Sequence, residues 1–319
     1  MPRMARSKDT RSDAHRDAKS RDRGRTKGAA RTDDRKDAGS VDADPLVPFR
    51  LDGTVDGTRS AGTFDLARID PAAKPFSGGD KSGDKARVAA LAERIDALQD
   101  LFYADRRFKM LVVLQGTDTS GKDGTIRGVF GRTSALGVQT APWKAPTDEE
   151  RAHDFLWRLH RKTPAAGEIM IWNRSHYEDV LVPPVRGWID AEETAKRYAH
   201  IRDFERLLAE SGTVVLKFLL HISKDEQRAR LQARLDDPTK TWKFAVGDLE
   251  DRERWDDFQA AYAAAVGATG TPWAPWYVVP ADSKTHRNLM IATVVVRTLE
   301  SLGLRYPPVP PELVGLRVS

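Results

Sequence analysis

No cysteine occurs among the 319 residues, which excludes disulfides and thiolate metal sites and makes a reducing compartment the simplest setting. Long apolar runs are missing too: no uncharged stretch approaches the roughly 18 residues that a membrane-spanning helix needs. The N-terminus is charged from Arg3 onward and lacks the apolar centre of a secretory signal. These absences point to a cytoplasmic protein without a membrane partner. Residues 1–40 contain no Val, Ile, Leu, Phe, Tyr or Trp, so they cannot bury enough apolar surface to offset chain entropy. They hold 13 Lys/Arg against 7 Asp, whereas the rest of the chain holds 39 basic and 40 acidic residues. The net charge of +5 therefore belongs to the tail, and the remainder has no cationic excess that would recommend nucleic acid. Residues 1–45 read as a disordered basic tail, either holding a polyanion or simply solubilising the chain.

Beyond the tail the chain is patterned. Residues 46–85 read as an N-terminal extension and linker, closed by the flexible cluster "SGGDKSGDK" (77–85). The core is expected over 86–305, with 306–319 as a C-terminal tail. In "ARVAALAERIDALQDLFYADRR" (86–107) apolar residues recur at three- and four-residue steps, an amphipathic helix. "KMLVVLQ" (109–115) is a short continuous apolar run, as in a strand buried on both faces, "EIMIW" (168–172) reads as a buried strand, and "TVVLKFLLHI" (213–222) and "WYVVPA" (276–281) read as strands. Helical patterns at 123–131, 147–162, 190–210 and 284–302 alternate with them, which predicts an α/β fold with a parallel sheet flanked by helices.

Three stretches carry chemistry. Gly116 to Lys122 fits the phosphate-loop pattern G-x-x-x-x-G-K between a buried strand and a helix. There Gly116 and Gly121 let backbone amides, Thr117 among them, wrap an anion, and Lys122 reaches a terminal phosphate. A nucleoside-triphosphatase has Ser or Thr at the next position; here it is Asp123, followed by Gly124, with a second carboxylate at Asp118. Carboxylates beside phosphates repel them unless a divalent cation intervenes, so Mg²⁺ is implied. For Asp123 a plain helix-capping role competes with metal binding. The second stretch, "EIMIWNRSHYEDVLV" (168–182), places polar residues at a strand's C-terminal end, where open α/β sheets hold ligands. Asn173 stands where many such enzymes have a metal-handling Asp, so that duty shifts toward Asp118 and Glu178. Arg174 is placed to stabilise a transferring phosphoryl group, and His176 reads as a structural, hydrogen-bonding residue. The third, "SKDEQRARLQARLDDPTKTWKF" (223–244), sets Arg230 and Arg234 four residues apart on one helix face, with Lys240 and Lys243 beyond. It suits either a lid over phosphates or an ordinary solvated face. Lys144 follows a strand end, Thr147 is placed to cap a helix, and Arg186 adds a cation after the strand-end motif. Trp143, Trp157, Trp255, Trp273 and Trp276 read as packing residues, and Phe244 as a candidate for stacking on a base.

Together the loop Gly116-x-Asp118-x-x-Gly121-Lys122-Asp123-Gly124, the motif Asn173-Arg174-Ser175-His176-Tyr177-Glu178-Asp179-Val180, the lid "RLDDPTKTWKF", "WDDFQAAY" (255–262) and "APWYVVPAD" (274–282) resemble the polyphosphate kinase 2 family, from about residue 84 to 302. The resemblance is to its third class, which accepts nucleoside mono- and diphosphates. It implies a phosphate-loop kinase-like three-layer fold with a helical lid at about 223–247. It further implies reversible, Mg²⁺-dependent phosphoryl transfer between inorganic polyphosphate and AMP, ADP or ATP, with Mn²⁺ as a substitute metal, guanine nucleotides as further substrates and a homo-oligomeric state. By resemblance Asp118, Asp123 and Glu178 hold metal, and Asp118, Lys122, Arg174 and Glu178 are catalytic. Gly116, Thr117, Gly121, Asp123, Gly124, Lys144, Asn173, Arg186, Arg230, Arg234 and Lys243 contact phosphate or nucleotide. Two other readings stay open: an ATP-dependent kinase of nucleotides or small molecules, and a non-catalytic polyanion-binding protein.

Overall fold

A computed structural model describes residues 44–53 and 64–318; all but the last two residues of the expected basic tail lie outside them. The apolar runs become strands. Together with the shorter β1 (Arg50–Leu51) and β3 (Val138–Pro142), the four runs, β2 (Lys109–Gln115), β4 (Ile169–Asn173), β5 (Thr213–His221) and β6 (Trp276–Pro280), form one sheet in the order β1-β6-β5-β2-β4-β3. Met110 to Leu114 in the central strand β2 are wholly buried, which is why that run carries no polar alternation. β2 pairs in parallel with β4 and β5, β3 with β4, and β5 with β6. The sheet is parallel as expected except at one edge, where β1 lies antiparallel on β6, Arg50 opposite Tyr277.

The helices are α1 (Lys81–Asp105), α2 (Lys122–Val129), α3 (Asp148–Arg151), α4 (Trp157–His160), α5 (Glu178–Arg186), α6 (Ala191–Glu210), α7 (Lys224–Leu235), α8 (Gly247–Glu253), α9 (Trp255–Thr269) and α10 (Lys284–Ser301). One group packs α1 along α10 and α2; another packs α5 against α6 and α9. With the sheet they make the three-layer arrangement. Among the described residues no helix is long and apolar enough to cross a membrane.

Two local expectations are corrected, and one helix forms where none was expected. The cluster 77–85 is not a flexible break, because α1 already begins at Lys81. Asp80 caps it by accepting from Ser82 N (3.1 Å) and Gly83 N, while the buried Asp84 carboxylate takes Gly78 N at 3.0 Å and the Ser77 hydroxyl. The single helix expected over 147–162 is two four-residue pieces, α3 and α4. Thr147 does cap the first in a reciprocal capping box with Glu150, but the Asp154 carboxylate accepts from Leu156 N at 2.9 Å, a local turn that competes with helix continuation. Finally, α5 forms although Pro183 and Pro184 lie inside it. Pro183 has no N–H for the carbonyl four residues back; that carbonyl, of Asp179, accepts instead from Arg197 Nη1 at 3.0 Å.

Candidate active site

The loop 116–121 joins the end of β2 to the start of α2. Gly116 has φ 148° and Gly121 φ 107°, conformations costly for a side chain. A Cβ on Gly116 would lie 2.7 Å from the Leu220 carbonyl oxygen, and one on Gly121 only 1.9 Å from Arg287 Nη1. The glycines thus let β5 and α10 press against the back of the loop. Arg287 is buried, faces Gly121 and Gly124, and donates to the Ser120 carbonyl at 3.4 Å. Burial, with Arg230 nearby, pulls its pKa down to about 10. Sequence reasoning missed Arg287; its signal was a lone arginine on the apolar helix "KTHRNLMIATVVV".

Arg230 belongs to the same backing. Its guanidinium donates to the carbonyls of Thr119 (2.9 Å), Ser120 (3.0 Å), Ala281 (2.7 Å) and Asp282 (2.9 Å), and its Nε to Glu226 at 2.7 Å. With its donors so engaged it buttresses the loop, in contrast to the phosphate-facing lid position expected for it. Arg234 sits farther along α7, donating to the Lys243 carbonyl at 3.3 Å, with Asp248 3.7 Å away.

On the front of the loop, Lys122 is buried and its Nζ donates to the carbonyls of Gly116 (2.6 Å) and Thr117 (3.2 Å). Burial, then Arg174, lower its pKa to about 8, against the opposing pull of Asp118, Glu178 and Asp123. Arg174 leaves β4 in the left-handed region, φ 66°, and reaches Asp118 on one side and Glu178 (3.0 Å) on the other. Those carboxylates, Glu178 first, hold the guanidinium firmly protonated. Gln115 at the end of β2 fixes the far oxygen of Glu178 at 2.5 Å. Trp255, Phe258 and Tyr262 of α9 close the apolar side of this corner. Arg186 ties α5 to Glu250 and Asp251 of α8.

Asp123 sits at the other side of Lys122. It accepts from Asn173 Nδ2 at 2.8 Å and from Lys243 Nζ at 3.0 Å. Burial acts to raise its pKa, but those two donors hold it below the usual carboxylate range. Lys144 stands apart: its side chain is exposed and its carbonyl accepts from Arg158 at 2.9 Å. The fold thus gathers Asp118, Lys122, Asp123, Asn173, Arg174, Glu178 and Lys243 around one loop.

The three carboxylates expected to share a metal do not form a ready-made cage: among the described residues no group of three or more His, Cys, Asp or Glu side chains converges. Asp118 and Glu178 flank Arg174, and Asp123 faces Lys243. The donor set nevertheless fits Mg²⁺, which takes one or two carboxylates and completes its shell with water and substrate phosphate oxygens. The Thr117 hydroxyl in the same loop is buried without a hydrogen-bond partner, one further hard oxygen beside these carboxylates.

Beneath the strand-end motif lies a polar network that sequence reasoning also missed. Lys217, in the middle of β5, and Glu205 of α6 are both completely buried, 2.6 Å apart. Lys217 Nζ also donates to Tyr177 Oη (2.9 Å) and the Thr269 carbonyl (2.8 Å). Glu205 accepts from Tyr177 Oη at 2.8 Å and lies 3.2 Å from His176 Nε2. Burial would raise the Glu205 pKa, yet Lys217 and His176 keep it below its ordinary value. His176, wholly buried here, is the structural residue expected. The pair anchors the turn that carries Arg174 and Glu178.

Residues 78–305 match the family model described as Polyphosphate kinase 2. An AMP/ADP-polyphosphate phosphotransferase of Meiothermus ruber is 52% identical over 247 residues, 77% of this chain and 92% of that one. An ADP-polyphosphate phosphotransferase of Rhodopseudomonas palustris is 42% identical over 241 residues, 70% of this chain and 83% of that one. The crystal structure of polyphosphate kinase 2 from Arthrobacter aurescens TC1 aligns with a TM-score of 0.75 at 44% identity, covering 79% of this chain and 91% of that chain.

Proposed function

The chain belongs to the polyphosphate kinase 2 family, and on that premise we propose that it transfers the terminal phosphoryl group of inorganic polyphosphate to AMP and ADP, reversibly and with Mg²⁺. The relatives' names supply the donor and the acceptors. The observation that carries the reading is the alternation of charge at the loop: Lys122 and Arg174 interleaved with Asp118, Glu178 and Asp123. An ordinary kinase brings one polyanion to a neutral or weakly charged acceptor. Here donor and acceptor are both phosphates, and their repulsion has to be cancelled from both sides.

In this mechanism the loop amides and Lys122 hold the phosphates in line, which supplies most of what a loose transition state requires. Arg174 swings little: gripped by Asp118 and Glu178, it presents a fixed cation to the charge that develops on the transferring group. Asp118 orients the acceptor phosphate, which is already an anion and needs no strong base. Lys243 brings a lid cation to Asp123, beside the loop. Asp118, Asp123 and Glu178 are the carboxylates that would hold Mg²⁺, which would supply positive charge against the repulsion between donor and acceptor phosphates.

The test is nucleotide-resolved chromatography of purified protein with Mg²⁺ and AMP or ADP, with and without long-chain polyphosphate. ADP and ATP should form only when polyphosphate is present. Phosphoryl transfer from ATP to another acceptor, with polyphosphate inert, would refute the assignment of the donor. Lys122→Ala should lower kcat/KM about a hundredfold or more, the scale seen when one preorganised charge-stabilising donor is removed, while leaving the protein folded.

A further inference from the structure

We propose that Trp242, in the lid, is the platform on which the base of the nucleotide stacks. The inference rests on the nucleotide substrate proposed above and assigns a residue to its non-phosphate end. Trp242 is 77% exposed, yet it is not slack surface. Its indole N–H donates to the Thr239 carbonyl at 2.9 Å. Thr239 in turn is held by Asp237 through both its N–H (3.0 Å) and its hydroxyl (2.6 Å), and Asp237 also pairs with Lys240. A short turn bonded this fully fixes the direction of the ring, at the cost of leaving a large apolar surface in water.

The position of the ring says what it is for. Lys243 Nζ lies 5.1 Å from the indole centroid, over its face, and the same ammonium sits 3.0 Å from Asp123 in the phosphate-loop helix. One lysine therefore touches both the ring and the site of phosphoryl transfer. A ligand with its phosphates at the loop has Trp242 one side chain away, in a cationic setting made by Lys240, Lys243 and Arg234. A planar aromatic group carried on a phosphate matches that surface; inorganic polyphosphate, with no apolar part, does not. Phe244, the ring that the sequence suggests for this role, is half-buried, and Trp242 is the one presented to solvent. Every base has a π-face, so stacking is tolerant of base identity; adenine and guanine nucleotides should be held almost equally.

Trp242→Ala and Trp242→Phe, compared with the parent, test this. In Trp242→Ala the KM for ADP and for GDP should rise about tenfold or more, while the KM for polyphosphate at saturating ADP and the melting temperature stay unchanged. Trp242→Phe should recover most of the loss. An unchanged KM for ADP would overturn the proposal, as would an equal rise for ADP and polyphosphate, which marks a merely structural lid residue. Calorimetric titration with ADP alone reads the same contact without turnover. Weaker ADP binding in Trp242→Ala supports the platform even if polyphosphate proves not to be the donor. Equal binding overturns it even if transfer is confirmed, and so does a change confined to oligomeric state by sedimentation.

Discussion

Lys217→Met removes the cation from the buried pair and leaves its anion behind. In the parent, Lys217 Nζ meets Glu205 at 2.6 Å, Tyr177 Oη at 2.9 Å and the Thr269 carbonyl at 2.8 Å, with no solvent access for either charge. After the substitution Glu205 keeps only Tyr177 and His176 as partners. Breaking a buried pair by removing one member costs about 3–5 kcal/mol. At roughly 2–4 °C per kcal/mol for a domain of this size, the melting temperature should fall by about 6–20 °C. The double variant Lys217→Met/Glu205→Leu removes both charges, and apolar replacements of buried pairs are often near neutral, so it should recover most of that loss. pH supplies an independent check. In the parent the Glu205 pKa is held below its unfolded value, so its contribution is present at neutral pH and is lost as pH falls through the folded pKa. Without Lys217, burial drives that pKa above the unfolded value, and the sign inverts: the folded state then binds the extra proton, and stability should rise on acidification. Differential scanning calorimetry from pH 3 to 8 measures both. A single variant melting within about 2 °C of the parent, or a double variant no better than the single, would refute the claim that the network is a paired charge on which the fold depends.

The site itself yields three more expected outcomes. The kcat/KM for polyphosphate should decline as pH rises through about 8, where Lys122 of the free protein loses its proton, and a pH–rate profile in which Lys122→Arg shifts that limb upward checks it. Gly121→Ala should abolish most activity and lower the melting temperature, because φ 107° is strained for alanine and its Cβ would collide with Arg287. Arg230→Ala should cost more stability than Arg234→Ala by thermal melting, since the first strips donors from four backbone carbonyls and the second from one.

Strands β2, β4, β5 and β6 were legible because stretches such as "MLVVL" in β2 are apolar at every position, and a strand sealed on both faces has little use for polar residues. The phosphate loop was legible because its glycines and lysine are fixed by the close approach of backbone to anion. α5 was not: two adjacent prolines argue against a helix, and what rescues it is Arg197, a side chain of α6 donating to the Asp179 carbonyl. Arg230 was misplaced for a related reason. Helical spacing shows which residues are neighbours on α7, but the targets of its guanidinium are carbonyls of residues 119, 120, 281 and 282, which only the tertiary fold brings near. The same holds for Lys217 and Glu205: Lys217 sits singly in an apolar strand, Glu205 is one of many charges on α6, and nothing local announces that they pair. The alternation of Asp118, Arg174 and Glu178 was readable as a set of residues, and their interlocking as one charged turn became visible only in three dimensions.

The two-residue strand β1 is small, yet it decides what may be cut from the chain. Arg50 and Leu51 cover the outer edge of β6, a strand buried at every position. The family-matched segment, residues 78–305, contains the loop, the lid and the strand-end motif but not that cover. Expressed alone, such a segment would leave the edge of β6 unpaired beside Trp276 and Tyr277, the kind of template to which other copies add. Residues 50–51, ahead of the family-matched sequence, thus close an edge that would otherwise be open to pairing.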